Sequence, residues 1–316
     1  MKMAGNELLD IKRRNRFGIY VAKNIEFWLL CLPAIAYFLV FHYAPMFGAV
    51  IAFKDFNYTD GILGSDWVGL DNFKFFFYSQ DAWRITRNSV GYSLIAMTLG
   101  TAVNIAVALL LYEITSKKAI KTYQTIMIFP HFMSWVIVGY ITHILFSSDF
   151  GVLNRIIESL GGDKVSWYSN PSLWPFILPI VNIWKNVGMG CIMYYAALMG
   201  LDAEIYEAAK IDGANRWRQT ISITIPSLIP MIIIMTILSV GQIFHNDFGL
   251  YYQIPRDIGV LYPTTDVIDT YIYRGLRTGD VGITAAVGLF QSFVGFILVL
   301  LTNFIVKKIE PDHAMF

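Results

Sequence analysis

Charge is what this chain is short of. Asp, Glu, Lys and Arg make up 15% of its 316 residues, against about 25% in a soluble globular domain. There is too little polar side chain here to cover a fold in water. Cysteine is nearly absent. Cys31 and Cys191 both fall within apolar runs, which leaves no disulfide framework and no thiol pair for redox chemistry; each reads as a small apolar filler. No Gly-Lys pair occurs, so the chain has no phosphate-cradling loop and does not hydrolyse ATP itself. His-Glu-x-x-His and Gly-x-Ser-x-Gly are missing as well, and the basic residues are scattered without a nucleic-acid footprint.

What is abundant is apolar length. Hydrophobic residues reach 56% and aromatic ones 16%. Phe27–Phe53, Asn88–Tyr112, Thr122–Ser148, Gln219–Asn246 and Val281–Val306 contain no Asp, Glu, Lys or Arg, and each meets the roughly 20 residues that a membrane-crossing helix needs. A sixth run, from about Leu173 to Gly200, is broken only by Lys185. The expectation is an all-α integral membrane protein with six transmembrane helices. With the N-terminus inside, inner segments hold 14 of the 24 Lys and Arg and outer segments 9, a bias that places both termini in the cytoplasm. The basic cluster before the first run lacks a small-residue cleavage site, so that run reads as an uncleaved span.

The organisation expected is a cytoplasmic arm over 1–26, a first transmembrane helix with its outer loop over 27–85, a five-helix transmembrane core over 86–306, and a cytoplasmic tail over 307–316. Pro33 and Pro45 suggest a kink or early end in the first span. A short helix is expected near Asn72–Tyr78. Val152, Ile156 and Leu160 recur at helical spacing before Gly161-Gly162, which points to an amphipathic surface helix.

The inner loop over 200–222 carries the most specific pattern. Asp202 is placed to cap a helix, Ile205, Ala208, Ala209 and Asp212 share one helical face, and Gly213 is placed to end it. Trp217, Ile221 and Ile225 then mark a second helix. A helix–Gly–helix elbow with small alanines and one acid, Glu207, lets another protein's backbone approach closely.

At this point the chain resembles the binding-protein-dependent ABC importer permeases. Glu207-Ala208-Ala209, Gly213, Ile223 and Pro226 stand at the spacing of that family's inner-loop signature, with Ile225 in place of the usual Leu. Trp67 to Phe73, Trp184-Lys185-Asn186 and Glu310-Pro311 extend the likeness to the poly- and oligosaccharide branch. The resemblance implies a type I importer permease fold, with the core at 86–306. It also implies an elbow that acts as a coupling helix through Glu207, Ala208, Ala209, Asp212, Gly213 and Arg216. It implies partners too: a second homologous permease subunit, two ATP-binding cassette subunits that carry the ATP and Mg, an extracytoplasmic solute-binding protein, and an oligosaccharide. It places the protein in the cytoplasmic (inner) membrane, with no cofactor or metal of its own and no nucleic-acid partner.

Polar residues inside spans have two readings. Lys185 either faces the translocation path or is held by backbone carbonyls or a partner subunit as a packing device. Asn182, Asn186, Gln242, His245, Asn246 and Asp247, with Trp135, Trp184 and Tyr195, could line a carbohydrate path; the same amides also join helices. His42, His131 and His143 read as helix–helix donors. An ion-coupled secondary transporter is the alternative, and it calls for paired inverted halves and broken helices near the midplane. A membrane-embedded enzyme would need a clustered catalytic constellation, and the spans contain none.

Overall fold

Hydrocarbon offers no hydrogen bonds, so a backbone that crosses it must satisfy itself, and in a chain this apolar the result is helices. The computed structural model describes Tyr20 and residues 23–309; most of the arm, and the tail from 310 with Glu310-Pro311, lie outside the described residues. The principal helices are α1 (Ile25–Phe38), α2 (Asp71–Tyr78), α3 (Gln80–Ile95), α4 (Thr101–Tyr112), α5 (Lys117–Ile128), α6 (Trp135–Phe146), α7 (Val152–Ser159), α8 (Trp174–Met199), α9 (Ala203–Ile211), α10 (Arg216–Gln219), α11 (Ile229–Gly241), α12 (Phe248–Gln253), α13 (Ile268–Thr278) and α14 (Val281–Ile309). The expected helices near Asn72–Tyr78 and at Val152 are present as α2 and α7.

Among the described residues, four helical stretches are long and apolar enough to cross a membrane by themselves: Ile25–Phe53, Gln80–Tyr112, Pro171–Met199 and Val281–Lys308. Two further stretches qualify only as bent pairs, Lys117–Phe132 with Trp135–Phe146 at 97° and Arg216–Ser227 with Ile229–Gly241 at 50°. The run 122–148, expected as one continuous span, is therefore broken at Met133–Ser134. Pro130 starts a tight turn there, and the Ser134 hydroxyl caps α6 by accepting from the Ile137 N–H at 3.4 Å.

Of the kink or early end expected from Pro33 and Pro45, the early end does not occur; helical structure runs on from Ile25 to Phe53. The adjustment comes instead as a π turn at Leu39–Tyr43, where the Ala44 N–H reaches back five residues to the Leu39 carbonyl. Pro45 follows immediately and has no N–H to donate, so the helix widens before it. The same arrangement recurs at Thr220–Thr224, ahead of Pro226, with Ile225 N–H bonded to Thr220 O.

Three buried clusters hold the body together. Val138, Trp174, Leu178, Leu250, Tyr251 and Ile254 join α6, α8 and the α12 region. Phe76, Ala82, Ile85, Phe244, Ile268 and Val287 join α2, α3, α13 and α14. Ala108, Leu111, Cys191, Tyr194, Leu198 and Leu228 join α4 and α8 to the foot of α11. Glycine permits the closest approach of α8 to its neighbours: a Cβ on Gly188 would lie 2.0 Å from the Met127 carbonyl oxygen, and one on Gly190 would lie 2.4 Å from the Asn104 amide. Cys191 is buried and free, as expected, whereas Cys31 is exposed on α1.

The segment over 247–280 is largely helical and forms a cap that packs on α3, α6 and α8. Its anchor is Asp266, whose side chain has no exposed surface and sits between Arg84 at 2.9 Å and Arg274 at 2.6 Å. Asn88 on α3 donates to Asp266 O at 2.9 Å, and Tyr92 donates to Thr264 O at 2.6 Å. A two-residue antiparallel ladder, β1 (Lys54–Asp55) with β2 (Asp66–Trp67), closes the preceding loop. Lys54 Nζ is sequestered there on the carbonyls of Leu63 and Ser65, both at 3.0 Å.

Candidate functional site

The elbow is built by caps. Asp202 Oδ1 accepts from the Glu204 N–H at 3.0 Å and starts α9. Gly213, at φ 78°, ends it with Ala214 N–H returning to Ala209 O at 2.9 Å, a left-handed conformation that a side chain would resist. Asn215 Oδ1 then accepts from the Arg218 N–H at 2.8 Å and starts α10. The second arm expected from Trp217, Ile221 and Ile225 is therefore present, but it continues through the π turn towards α11 and does not stand apart.

Two contacts fix the elbow to the bundle. Tyr206 OH meets Thr224 Oγ1 at 3.0 Å, and Arg216 pairs with Glu113 just after α4. The pair is exposed, so its value is orientation more than energy. Glu207 and Ala208 are exposed, Ala209 is half-buried, and Glu207 has no hydrogen bond or ion pair among the described residues. Ile211 is 87% exposed and Trp217 73%. The elbow thus presents an unpaired carboxylate, a small-residue face and two large apolar side chains on a rigidly capped turn. Asp212, the C-cap residue of α9, and Arg216 flank that turn.

A second site lies at the break in the α5–α6 span. A helix that stops at Phe132 leaves its last carbonyls without N–H partners, and Lys185 on α8 supplies them. Its Nζ donates to His131 O at 2.7 Å and to Pro130 O at 3.4 Å, and it lies 5.0 Å from the Trp135 ring centre. Of the two readings open for Lys185, the carbonyl-bound one describes its contacts. His131 Nδ1 meets Asn186 Oδ1 at 3.1 Å, and Asn186 donates to Asn182 Oδ1 at 2.7 Å. Trp135 Nε1 donates to Asp247 Oδ2 at 2.6 Å, while Asp247 Oδ1 caps α12 through Gly249 N–H at 2.9 Å. Asn182, Lys185, Asn186, Trp135 and Asp247 therefore belong to one polar seam.

The remaining candidates divide. Asn246 donates to Ser93 Oγ at 3.1 Å, and its N–H donates to Asp269 Oδ2 at 2.7 Å. His245 Nδ1 meets Gln291 Nε2 at 3.0 Å, and Gln291 also donates to Phe244 O at 2.7 Å. Burial pushes the Asp269 carboxyl above its ordinary range, against the hydrogen bonds from Asn246 and Gln291. Gln242 and His245 open, with Ser93, Asn104 and Tyr194, onto a cavity of about 440 Å³ between α3–α4, α8 and α11.

Tyr195 is not part of either group. It packs with Leu198 and Leu228 in the apolar cluster, ten residues and about 15 Å along α8 from Lys185. Trp184 is 45% exposed and makes none of the contacts at the break. Of the histidines read as helix–helix donors, His131 bridges to α8, but His42 is exposed and touches only Tyr37 and Phe38 of its own helix. His143 packs on Tyr168, and its Nδ1 is buried with no hydrogen-bond partner among the described residues. Gln291 and Asp269 escaped the sequence reading. A Gln within an otherwise apolar span was a usable signal; the Asp in a polar segment was not.

With that geometry in place, likeness to known proteins can be weighed. The family described as binding-protein-dependent transport system inner membrane component matches residues 121–311. Protein LplB of Bacillus subtilis (strain 168) is 38% identical over 286 residues, which covers 90% of this chain and 89% of that protein. The polygalacturonan/rhamnogalacturonan transport system permease protein YteP of the same organism is 36% identical over 302 residues, which covers 95% and 94%. A solved bacterial alginate ABC transporter, in complex with its alginate pentasaccharide-bound periplasmic protein, contains a chain that aligns with TM-score 0.83 and 33% identity over 92% of this chain and 96% of that one. The family match includes the elbow, α8, the second bent span and the first from residue 121 onwards. This chain belongs to the binding-protein-dependent transport system inner membrane components, a family of transport permeases and not of enzymes.

Proposed function

We propose that this protein is one permease subunit of an ATP-driven importer of oligosaccharides in the cytoplasmic membrane. Six spans, the bent pairs counting as one each, carry the chain across with both termini inside, and the five later ones form the core over 86–306. A second homologous permease forms the other half. Two ATP-binding cassette subunits, which hold ATP and Mg, grip the elbow, and an extracytoplasmic binding protein delivers the sugar. The single observation that carries the reading is the elbow: Glu207, unpaired among the described residues, beside the exposed Ala208 and Ile211, on a turn capped at both ends and tied to the bundle at Thr224 and Glu113.

The most apolar window of Ile25–Phe53 buries none of its residues against this chain's own body, so a surface outside the chain, whether lipid or a neighbouring subunit, covers it. The polar seam at Lys185 and the cavity at Gln242 and His245 then flank the path between the halves. The broken α5–α6 span would also fit an ion-coupled transporter, but the elbow's exposed carboxylate and apolar face have no role there.

Mechanically, closure of the cassette subunits moves a turn that cannot flex internally, because both of its helices are capped. The motion passes through the Tyr206–Thr224 and Arg216–Glu113 contacts into α4 and α11, which wall the cavity. ATP acts by favouring one orientation of the halves over the other. The test is reconstitution. With Cys placed at Ala208 and along the cassette groove, oxidative crosslinks should form and should block sugar uptake into vesicles; uptake that follows a proton or sodium gradient with no need for ATP would overturn the proposal.

A further inference from the structure

On the α6 face that bears Val136, Gly139, Tyr140 and His143, the chain forms a half-open cavity of about 230 Å³ that is lined on the other side by Tyr252, Gln253 and Arg256. Its size is below the range of about 300–1,000 Å³ typical of pockets for whole drug-like ligands, which suits a single sugar ring. Gly139 makes the arrangement possible: a Cβ there would already stand 3.0 Å from the Gln253 carbonyl, so α6 and the end of α12 meet backbone to backbone.

Arg256 is the unusual member. Among the described residues it has no ion pair and no hydrogen bond, although Asp257 is its neighbour. Asp257 is committed elsewhere, accepting from Tyr262 OH at 2.9 Å and facing Arg274 at 3.4 Å. Arg256 and Asp257 both adopt left-handed backbone, at φ 60° and 51°, which for an Arg is uncommon and costs energy. The two Asp257 contacts tie down that turn, and Arg256 lines the cavity with no acid paired to it among the described residues. His143 contributes a buried Nδ1 with no hydrogen-bond partner among the described residues. Tyr140 is 65% exposed and offers its ring to the opening.

We propose that this cavity is a subsite for one carboxylate-bearing ring of an acidic oligosaccharide, a uronate. Arg256 pairs with the carboxylate, Gln253 and His143 bond to hydroxyls, and Tyr140 or Tyr252 covers the apolar face of the ring. A planar, five-donor guanidinium suits a carboxylate in two-point contact, and a neutral sugar would leave the Arg unmatched. The inference rests on the carbohydrate-import reading and narrows its substrate class. A carboxylate from the binding protein could offer the same charge, but the ring-sized cavity and its aromatic lining favour sugar.

The experiment is equilibrium binding to the assembled importer in nanodiscs, without ATP or binding protein. The probes are trigalacturonate and its carboxyl-reduced neutral counterpart. The acid should bind about tenfold more tightly than the neutral form, and Arg256→Gln should abolish that preference, as expected for loss of a charge-assisted pair. Arg256→Lys should recover part of it. Thermal melting checks that both variants are folded. Equal binding of the two probes by the wild type, or an undiminished preference in Arg256→Gln, would overturn the proposal. Because no ATP is present, failure here is separate from failure of ATP-driven uptake, which the vesicle assay reads independently.

Discussion

Lys185 shows how one residue can make a broken membrane helix tolerable. A cation at mid-span costs roughly 2.5–3.5 kcal/mol on insertion scales, and carbonyls freed at a helix break carry a penalty of their own. Bringing the two together at 2.7 and 3.4 Å cancels much of both. Removal of the side chain leaves the Pro130 and His131 carbonyls orphaned, so Lys185→Ala should cost about 1.5–3 kcal/mol, the worth of a hydrogen bond to a charged group. Thermal unfolding of the purified protein in detergent reads this as a lower midpoint, and Lys185→Gln should recover part of the loss. A midpoint unchanged by Lys185→Ala would remove the support role. Asp269 makes a second prediction at this scale. Its folded pKa lies above the ordinary 3.8 because burial outweighs its hydrogen bonds. The folded state therefore holds its proton to higher pH than the unfolded state does, and stability falls as pH rises through the window above 3.8. Asp269→Asn should flatten that part of the pH–stability profile; a profile unchanged by the substitution would contradict the account.

At the scale of elements, the elbow and the packing of α8 depend on particular glycines. Gly213 stands in open space but at φ 78°, so Gly213→Ala meets strain and no clash, at about 1–2 kcal/mol. Its effect should appear as slackened coupling: ATP hydrolysis persists while uptake falls. Gly188→Ala is the opposite case, a clash with Met127 O in an α-conformation that any residue accepts. It should lower the yield of folded protein, and near-normal folding would mean that α8 can move off α5. The legibility of these elements in the sequence follows the range of the interactions that set them. Asp202 and Gly213 act locally, and the elbow was readable from them together with the spacing of Trp217, Ile221 and Ile225, although the Asn215 cap was not read. Long apolar runs likewise gave away α8, α14 and the continuous α3–α4 stretch. The break at Met133–Ser134 was not read, because Pro130 and Ser134 are common inside membrane helices and the deciding partner, Lys185, lies 54 residues away from His131. Asp266 held between Arg84 and Arg274 was equally hidden, since Arg84 is separated from it by 182 residues.

For the whole molecule, the described residues combine three parts in one body: a cap locked by Asp266, a bundle with a polar seam at its broken span, and a rigid turn at the opposite end of α8 from the cap. Each part is joined to the next through helices that are continuous or bonded across their breaks, so a displacement of the turn reaches the cavity walls. The central claim is that Glu207 is where another protein takes hold of that turn. Glu207 has no hydrogen bond or ion pair among the described residues, and its substitution should leave insertion and folding intact. The most direct measurement is ATP-dependent sugar uptake by vesicles containing the assembled importer with Glu207→Lys. The account predicts normal membrane insertion and thermal stability with uptake reduced to background. Uptake at the wild-type rate by that variant would contradict it.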